Sequence, residues 1–391
     1  MAGVLVLLRL KVHPGPSVFV GSLILSLLVL PARETPQLML ATITSLQTLR
    51  LIGIIICALT LSRLMELRGL LLKLAHTLET IGPKLALHVV PVIIGLVPMP
   101  GGALVSATAV KGLAERLRLT AAQSTFINFW FRHIWELAVP VYPAVIAASV
   151  VLSVPLSTLF ITMLPVIPLL AILGAVESRR ILRHVHSEPV ESIPGRQLVK
   201  ELLRASWPVI LLIGLVVTGV EAAIAFLIAA ILLALQQRVP RHELSNALRY
   251  ALGPKTLFLL FSVMLFKSVV EQSGAAGILC ADMQSIGMPP ALVLILLPAL
   301  VGFATGLSMA FVGISFPLLL PFIVNAGGDV NGYALFLAYV GGGLGYMVSP
   351  LHLCLILSAE FFQARLSDVY RLMVPPLLIS VAVALAAYLL S

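Results

Sequence analysis

The residues of this chain that can do chemistry are the few polar and charged ones set inside long apolar runs. In the run 121–152 the stretch Asn128-Phe129-Trp130-Phe131-Arg132-His133-Ile134-Trp135-Glu136 carries four of them. Read as a helix at 1.5 Å per residue, it places Arg132 roughly 16 Å into a membrane. A charge at that depth costs about 2.5–3.5 kcal/mol even on a lenient insertion scale. Glu136 lies one turn on and can pair with Arg132. Two readings stay open: Arg132 fixes an anionic substrate while Glu136, with His133 beside it, carries a proton or coupling ion, or the two form a closed structural pair. His352, after Ser349-Pro350-Leu351, could relay protons or bind substrate, or be satisfied by a backbone carbonyl.

Two Gly-rich turns offer a different chemistry. Pro98-Met99-Pro100-Gly101-Gly102 and Ala304-Thr305-Gly306-Leu307-Ser308 each precede an apolar helical segment. A helix N-terminus exposes unpaired N–H groups and about half a positive charge, which suits an anion. Thr305 and Ser308 add hydroxyls. The competing reading is that these glycines serve close packing. Lys267 and Glu271 read as a structural pair, and His184 and His186 as solvated loop residues.

The elements that must position these groups follow from composition. Of 391 residues, 60% are hydrophobic and 10% charged, with a mean hydropathy of +1.10. An average soluble domain carries about 25% charged residues, so a soluble enzyme, a disordered chain and a secreted disulfide scaffold are excluded. Cys57, Cys280 and Cys354 give neither a disulfide framework nor a metal spacing. The charges Arg9 and Lys11 follow the first apolar stretch, unlike a cleaved signal. Apolar segments fall at about 2–12, 17–31, 40–64, 85–98, 103–118, 121–152 and 157–176, and again at 206–220, 222–236, 255–273, 290–303, 307–324, 333–362 and 372–390. The hydrophilic connector 177–205 divides them.

The halves resemble each other. Glu66, Gly82, Pro91, Gly95 and Pro143 recur as Glu271, Gly287, Pro298, Gly302 and Pro350, at offsets of 205 to 207, which indicates an internal repeat of about 180 residues. The run 85–98 reaches only about 21 Å as a helix, short of a hydrocarbon core of about 30 Å. With 103–118 it reads as a re-entrant hairpin, and 290–324 reads as its counterpart. Each hairpin precedes an interrupted helix: 121–152, broken at Val139-Pro140-Val141-Tyr142-Pro143, and 333–362, broken from Gly341-Gly342-Gly343 to Ser349-Pro350. Such breaks at membrane depth mark transport sites, so Tyr142 and Gly341, Gly342 and Gly343 join the candidates for ion coupling. The segments 66–82 and about 274–288 read as interfacial flanks.

If the halves are inverted, with about ten crossings in all, the basic residues sort to one side. Of 25 Lys and Arg, only Arg33, Arg50, Arg132 and Lys267 fall outside segments assigned to the cytoplasm, as expected for a multi-pass inner-membrane protein. The net charge of +9 is then a topology signal, and nucleic acid is not expected as a partner. The sequence has no HExxH, GxSxG, Walker or Gly-x-Gly-Asp motif, which argues against an intramembrane enzyme or an ATP-driven pump.

At Val97-Pro98-Met99-Pro100-Gly101-Gly102-Ala103, Asn128 to Glu136, and Ser349-Pro350-Leu351-His352-Leu353-Cys354, the sequence resembles the prokaryotic membrane family called domain of unknown function four-zero-one, placed in the ion transporter superfamily. The resemblance implies an all-α polytopic membrane protein of two inverted repeats (1–176 and 206–391). It implies a scaffold domain and a transport domain moving elevator-fashion, in a homodimer, with membrane lipid around it. It implies a site between 98–102, 139–143, 304–308 and 341–350. Where relatives carry Ser-Asn-Thr-type tips for sodium and carboxylate, this chain reads Pro-Met-Pro-Gly-Gly and Ala-Thr-Gly-Leu-Ser. The function expected is secondary transport of a small organic anion with Na⁺ or H⁺. Candidate substrate residues are Pro98, Met99, Pro100, Gly101, Gly102, Asn128, Arg132, Thr305, Gly306, Ser308, Ser349 and His352; His133, Glu136, Tyr142 and Gly341–Gly343 are the coupling candidates. The alternatives are a cation/proton antiporter of the same fold or, from another class, a membrane-embedded enzyme or assembly factor. No cofactor is expected beyond Na⁺.

Overall fold

A computed structural model of the chain describes residues 14–70, 82–98, 102–183, 195–325 and 327–391. The apolar run 2–12, most of the flank 66–82, Met99, Pro100 and Gly101, and the connector histidines His184 and His186 lie outside the described residues. The described chain is built of α-helices, with one isolated bridge between Val324 and Val330.

The first half comprises α1 (Pro14–Val29), α2 (Glu34–Thr44), α3 (Leu46–Leu67), α4 (Pro83–Gly95), α5 (Gly102–Arg116), α6 (Ala121–His133), α7 (Pro143–Val151), α8 (Leu156–Met163) and α9 (Val166–Leu182). The second comprises α10 (Gly195–Val217), α11 (Ala222–Gln236), α12 (Arg241–Ala251), α13 (Pro254–Ser273), α14 (Ala275–Ser285), α15 (Pro290–Thr305), α16 (Ser308–Ile323), α17 (Gly332–Met347), α18 (Leu353–Phe362) and α19 (Leu366–Leu389). Local chemistry sets many of the starts. Ser45, Glu221 and Asn331 cap α3, α11 and α17 through their side-chain oxygens, and proline opens α4, α7, α13 and α15, where its missing N–H costs nothing.

Four stretches, Leu46–Leu67, Leu156–Leu182, Arg241–Ser273 and Leu366–Leu389, are long and apolar enough to cross a membrane. Many large apolar side chains, among them Leu28, Leu40, Leu235, Ile172 and Leu300, are exposed. That surface suits lipid, and the chain is a multi-pass helical membrane protein.

The helices expected to make up the two hairpins pack in pairs. The arms α4 and α5 pack on each other and on α6, while α15 and α16 pack on each other and on α17. Contacts then cross between the halves: α7 lies on α16, and α18 lies on α5 and α6. On one flank of this unit, α3, α11, α12 and α13 pack together, with α1 and α2 on α13.

One expectation is corrected. Gly341, Gly342 and Gly343 do not interrupt a helix; they lie inside α17, and the second break falls at residues 348–352. These glycines serve proximity. A Cβ at Gly341 would come within 2.9 Å of Ile295 Cα on α15, and one at Gly342 would run into the Phe311 ring on α16. Gly345, further along, faces the backbone carbonyl of Ala299 so closely that a Cβ has no room. The α15–α17 contact is therefore backbone against backbone, the small-residue packing by which helices associate in lipid. Gly345→Val is expected to wedge these helices apart, destabilising the protein by about 1–3 kcal/mol. The change would be read as a lower melting temperature in detergent; an unchanged value would show that the contact yields.

Candidate functional site

Both helix breaks follow from proline. Pro140 and Pro143 have no N–H to return to the carbonyls of Glu136 and Val139, and their rings crowd those carbonyls. The chain leaves α6 after His133 in a series of turns (Val139 N–H to Trp135 O, 2.9 Å; Tyr142 N–H to Val139 O, 3.1 Å). It resumes as α7 at Pro143. Pro350 likewise cannot donate to Tyr346 O, and that carbonyl instead accepts from the Ser349 N–H (3.3 Å) and from His352 Nδ1 (3.0 Å). The residue before the key proline fastens each break to its own hairpin. Tyr142 donates its hydroxyl to Gly95 O at the end of α4, and Ser349 donates to Phe303 O on α15 (2.6 Å). Trp135 adds an indole N–H to Val92 O (2.7 Å).

The start of α6 is fixed by a capping box between Thr120 and Gln123, so its last turn carries Arg132 and His133 to the first break. The Arg132 charge there suits the negative end of the helix dipole. Asn128 locks α6 laterally, donating to Ala103 O on α5 (3.1 Å) and Ser358 Oγ on α18 (3.0 Å). Asn128→Ala is expected to cost about 1–3 kcal/mol through the acceptors left unpaired. Substrate-induced stabilisation of that variant should persist; its loss would make Asn128 a substrate ligand.

A cavity of about 330 Å³ opens where the breaks and the second hairpin tip meet. Arg132, Glu136, Tyr142, Pro143 and Ala144 line it from the first break, Gly306 to Met309 from the tip, and His352 to Cys354 from the second break. Pro98 contributes from the first hairpin, and Ser62 on α3 donates to its carbonyl. Leu59 on α3, Tyr250 on α12, and Thr256 and Leu259 on α13 form the opposite wall. The first residues of three helices, α7, α16 and α18, thus face one space, and no side chain caps α16 or α18. Arg132 is 4% exposed at its edge.

Within the wall, Ser308 donates to Glu136 Oε1 (2.6 Å) and His133 Nε2 lies 3.7 Å from Glu136 Oε2. Arg132 Nη1 is 3.5 Å from His133 Nε2 and 3.6 Å from Cys354 Sγ. Gly306 ends α15 with φ +66°, and a Cβ on it would meet His352 N at 2.6 Å, so the tip rests directly on the second break. Only glycine suits both the left-handed turn and that approach.

Of the sequence candidates, Pro98, Arg132, Glu136, Tyr142, Gly306, Ser308 and His352 line this cavity, and His133 lies directly behind it. Thr305 instead turns its hydroxyl to Val301 O (2.8 Å), and Ser349 is committed to Phe303 O. Gly102 is buried at the start of α5, and Gly341–Gly343 sit within α17. Cys354 and the wall residues Leu59, Tyr250, Thr256 and Leu259 were not anticipated as parts of a site. Only Cys354, next but one to His352 in the motif Ser349 to Cys354, carries a sequence signal.

The family model described as "Protein of unknown function (DUF401)" matches residues 1–391. No curated protein matches the sequence. Among solved structures the chain is similar to the Alcanivorax borkumensis YdaH transporter, whose crystal structure is described as revealing an unusual topology. The TM-score is 0.60 with 14% sequence identity, over 90% of this chain and 86% of that one. The likeness is one of fold.

Proposed function

The chain belongs to the DUF401 family, and from that premise we propose that it is a secondary active transporter for a small organic anion, driven by Na⁺ or H⁺. The observation that carries this reading is the convergence of three helix N-termini and the Arg132 guanidinium on one cavity. All three N-termini present a partial positive charge and those of α16 and α18 present unpaired N–H groups as well, and an arginine fork matches a carboxylate bidentately. The volume is at the small end of ligand pockets, which run from about 300 Å³ upward. The fold shared with a protein described as a transporter supports the same class.

In this reading the hairpins, the broken helices, α9 and α19 form a transport unit, and α1–α3 with α11–α13 form the scaffold. The cavity lies on their boundary, so a sliding unit would carry the substrate past Leu59, Tyr250 and Leu259. Tyr250 and Thr256 lie beside Arg249 and Lys255, which the inverted topology puts at the cytoplasm, so the cavity would face inward here. Glu136, hydrogen-bonded to Ser308 at the tip, is placed to carry the coupling charge; that placement is also what a cation/proton antiporter would need.

The test is a thermal-shift screen of the detergent-solubilised protein against organic acids, with and without Na⁺, because ligand binding stabilises the native state. Stabilisation by an acid is expected, followed by gradient-driven uptake of that acid in liposomes. A protein indifferent to every acid that moves protons when Na⁺ is added would sink the anion reading and favour the antiporter.

A further inference from the structure

The two breaks also bring together a set of ligating atoms that anion binding does not use. His133 Nδ1 lies 2.6 Å from Phe129 O, and His352 Nδ1 lies 3.0 Å from Tyr346 O. A carbonyl only accepts, so each Nδ1 carries the proton and each Nε2 presents a lone pair. Metal-bound imidazoles are oriented in this way, by a second-ring N–H fixed to a carbonyl or carboxylate. The rings stand 5.0 Å apart at 78°. One nitrogen of each and the sulfur of Cys354 lie within 4.8 Å of one another. Glu136 Oε2 lies 3.7 Å from His133 Nε2. A cation already samples this position, since Arg132 Nη1 lies near both His133 Nε2 and Cys354 Sγ.

We propose that His133, His352 and Cys354, with Glu136 as fourth ligand, form a binding site for a divalent transition-metal ion of the Zn²⁺ class. The donor set is two imidazoles, a thiolate and a carboxylate. Borderline-soft metals favour it, whereas Na⁺, Mg²⁺ and Ca²⁺ favour oxygen alone. In a tetrahedral site the donor atoms stand about 3.3–3.8 Å apart, so the two imidazoles and the thiolate close by roughly an ångström on binding, and the Glu136 carboxylate swings in from beside His133. Cys354 binds as thiolate, its proton leaving to water in the cavity. The thiolate and carboxylate then balance the ion's charge. His352, Cys354 and Glu136 line the cavity, which gives the metal its entry. The metal and the Arg132 guanidinium compete for the same lone pairs, so each excludes the other from them. The site stands independently of the transport reading.

Co²⁺ titrated into the purified full-length protein in detergent tests this, because a cobalt–thiolate bond gives a near-ultraviolet charge-transfer band and tetrahedral Co²⁺ gives strong visible bands. The bands are expected to saturate and to be displaced by Zn²⁺. They should vanish in Cys354→Ser and persist in a variant with both Cys57 and Cys280 changed to Ser. His352→Ala is expected to weaken Co²⁺ binding about tenfold or more, by analogy with the loss of groups supporting a metal. Arg132→Gln is expected to tighten it by removing the competing cation. A wild-type protein with no thiolate band, or a band that survives in Cys354→Ser, overturns the proposal. Acid-induced stabilisation measured in the same Cys354→Ser protein reports on the transport reading separately.

Discussion

Arg132→Gln is expected to fold and to lose substrate binding by about 30-fold to several thousand-fold. The guanidinium is almost fully buried at the cavity edge, where a hydrogen-bonded charge pair is little screened, and truncating one partner of such a pair costs about 2–5 kcal/mol. Glutamine keeps a donor at similar reach but removes the charge and the fork. Arg132→Lys keeps the charge without the fork, so its binding should fall between the two. The measurement is the shift in melting temperature caused by a stabilising acid, compared across the three proteins. Loss of the shift with a wild-type-like melting temperature assigns Arg132 to the substrate. A lower melting temperature with the shift intact would instead make Arg132 a structural partner of Cys354, His133 and Glu136.

The sequence reading located Arg132 from the cost of burying a charge, and it did so without knowing any neighbour. It paired Arg132 with Glu136 on one helix because an unbroken helix sets residues four apart side by side. The chain turns after His133, and Glu136 also accepts the Ser308 hydroxyl on the second hairpin, a tie that no spacing along one helix foretells. Cys354, 222 positions away from Arg132, becomes its neighbour only because α18 crosses into the first half. Local rules carry no information about such crossings.

Proline was the most dependable guide. Pro143 and Pro350, matched in the sequence, each follow a residue whose hydroxyl ties a break to the hairpin of its own half. Glycine was ambiguous, because the same residue serves a turn at Gly306 and a close helix contact at Gly341 and Gly345. Only the neighbouring backbone separates those uses. Leu59 and Leu259 had no signal at all: an apolar residue facing a cavity and one facing lipid look alike in a chain this hydrophobic.

Glu136→Gln is expected to uncouple transport from its driving gradient while leaving the site assembled. Glutamine retains a side-chain oxygen to accept the Ser308 hydroxyl, so the 2.6 Å tie between the first break and the second hairpin tip can survive the change. What is lost is the one acidic side chain lining the cavity among the described residues, and with it the group able to take up a proton or attract Na⁺ beside Arg132. Ionisable residues in this setting mark ion pathways because the membrane makes them costly to keep. In liposomes the variant should still exchange labelled for unlabelled acid, and should no longer accumulate acid when a Na⁺ or proton gradient is imposed. Accumulation at the wild-type level would assign Glu136 to holding the tip and move the coupling charge elsewhere. Loss of exchange together with accumulation would show that the carboxylate is needed to build the anion site. A Ser308→Ala protein, which breaks the same tie but keeps the charge, separates that outcome from uncoupling: it is expected to remain coupled.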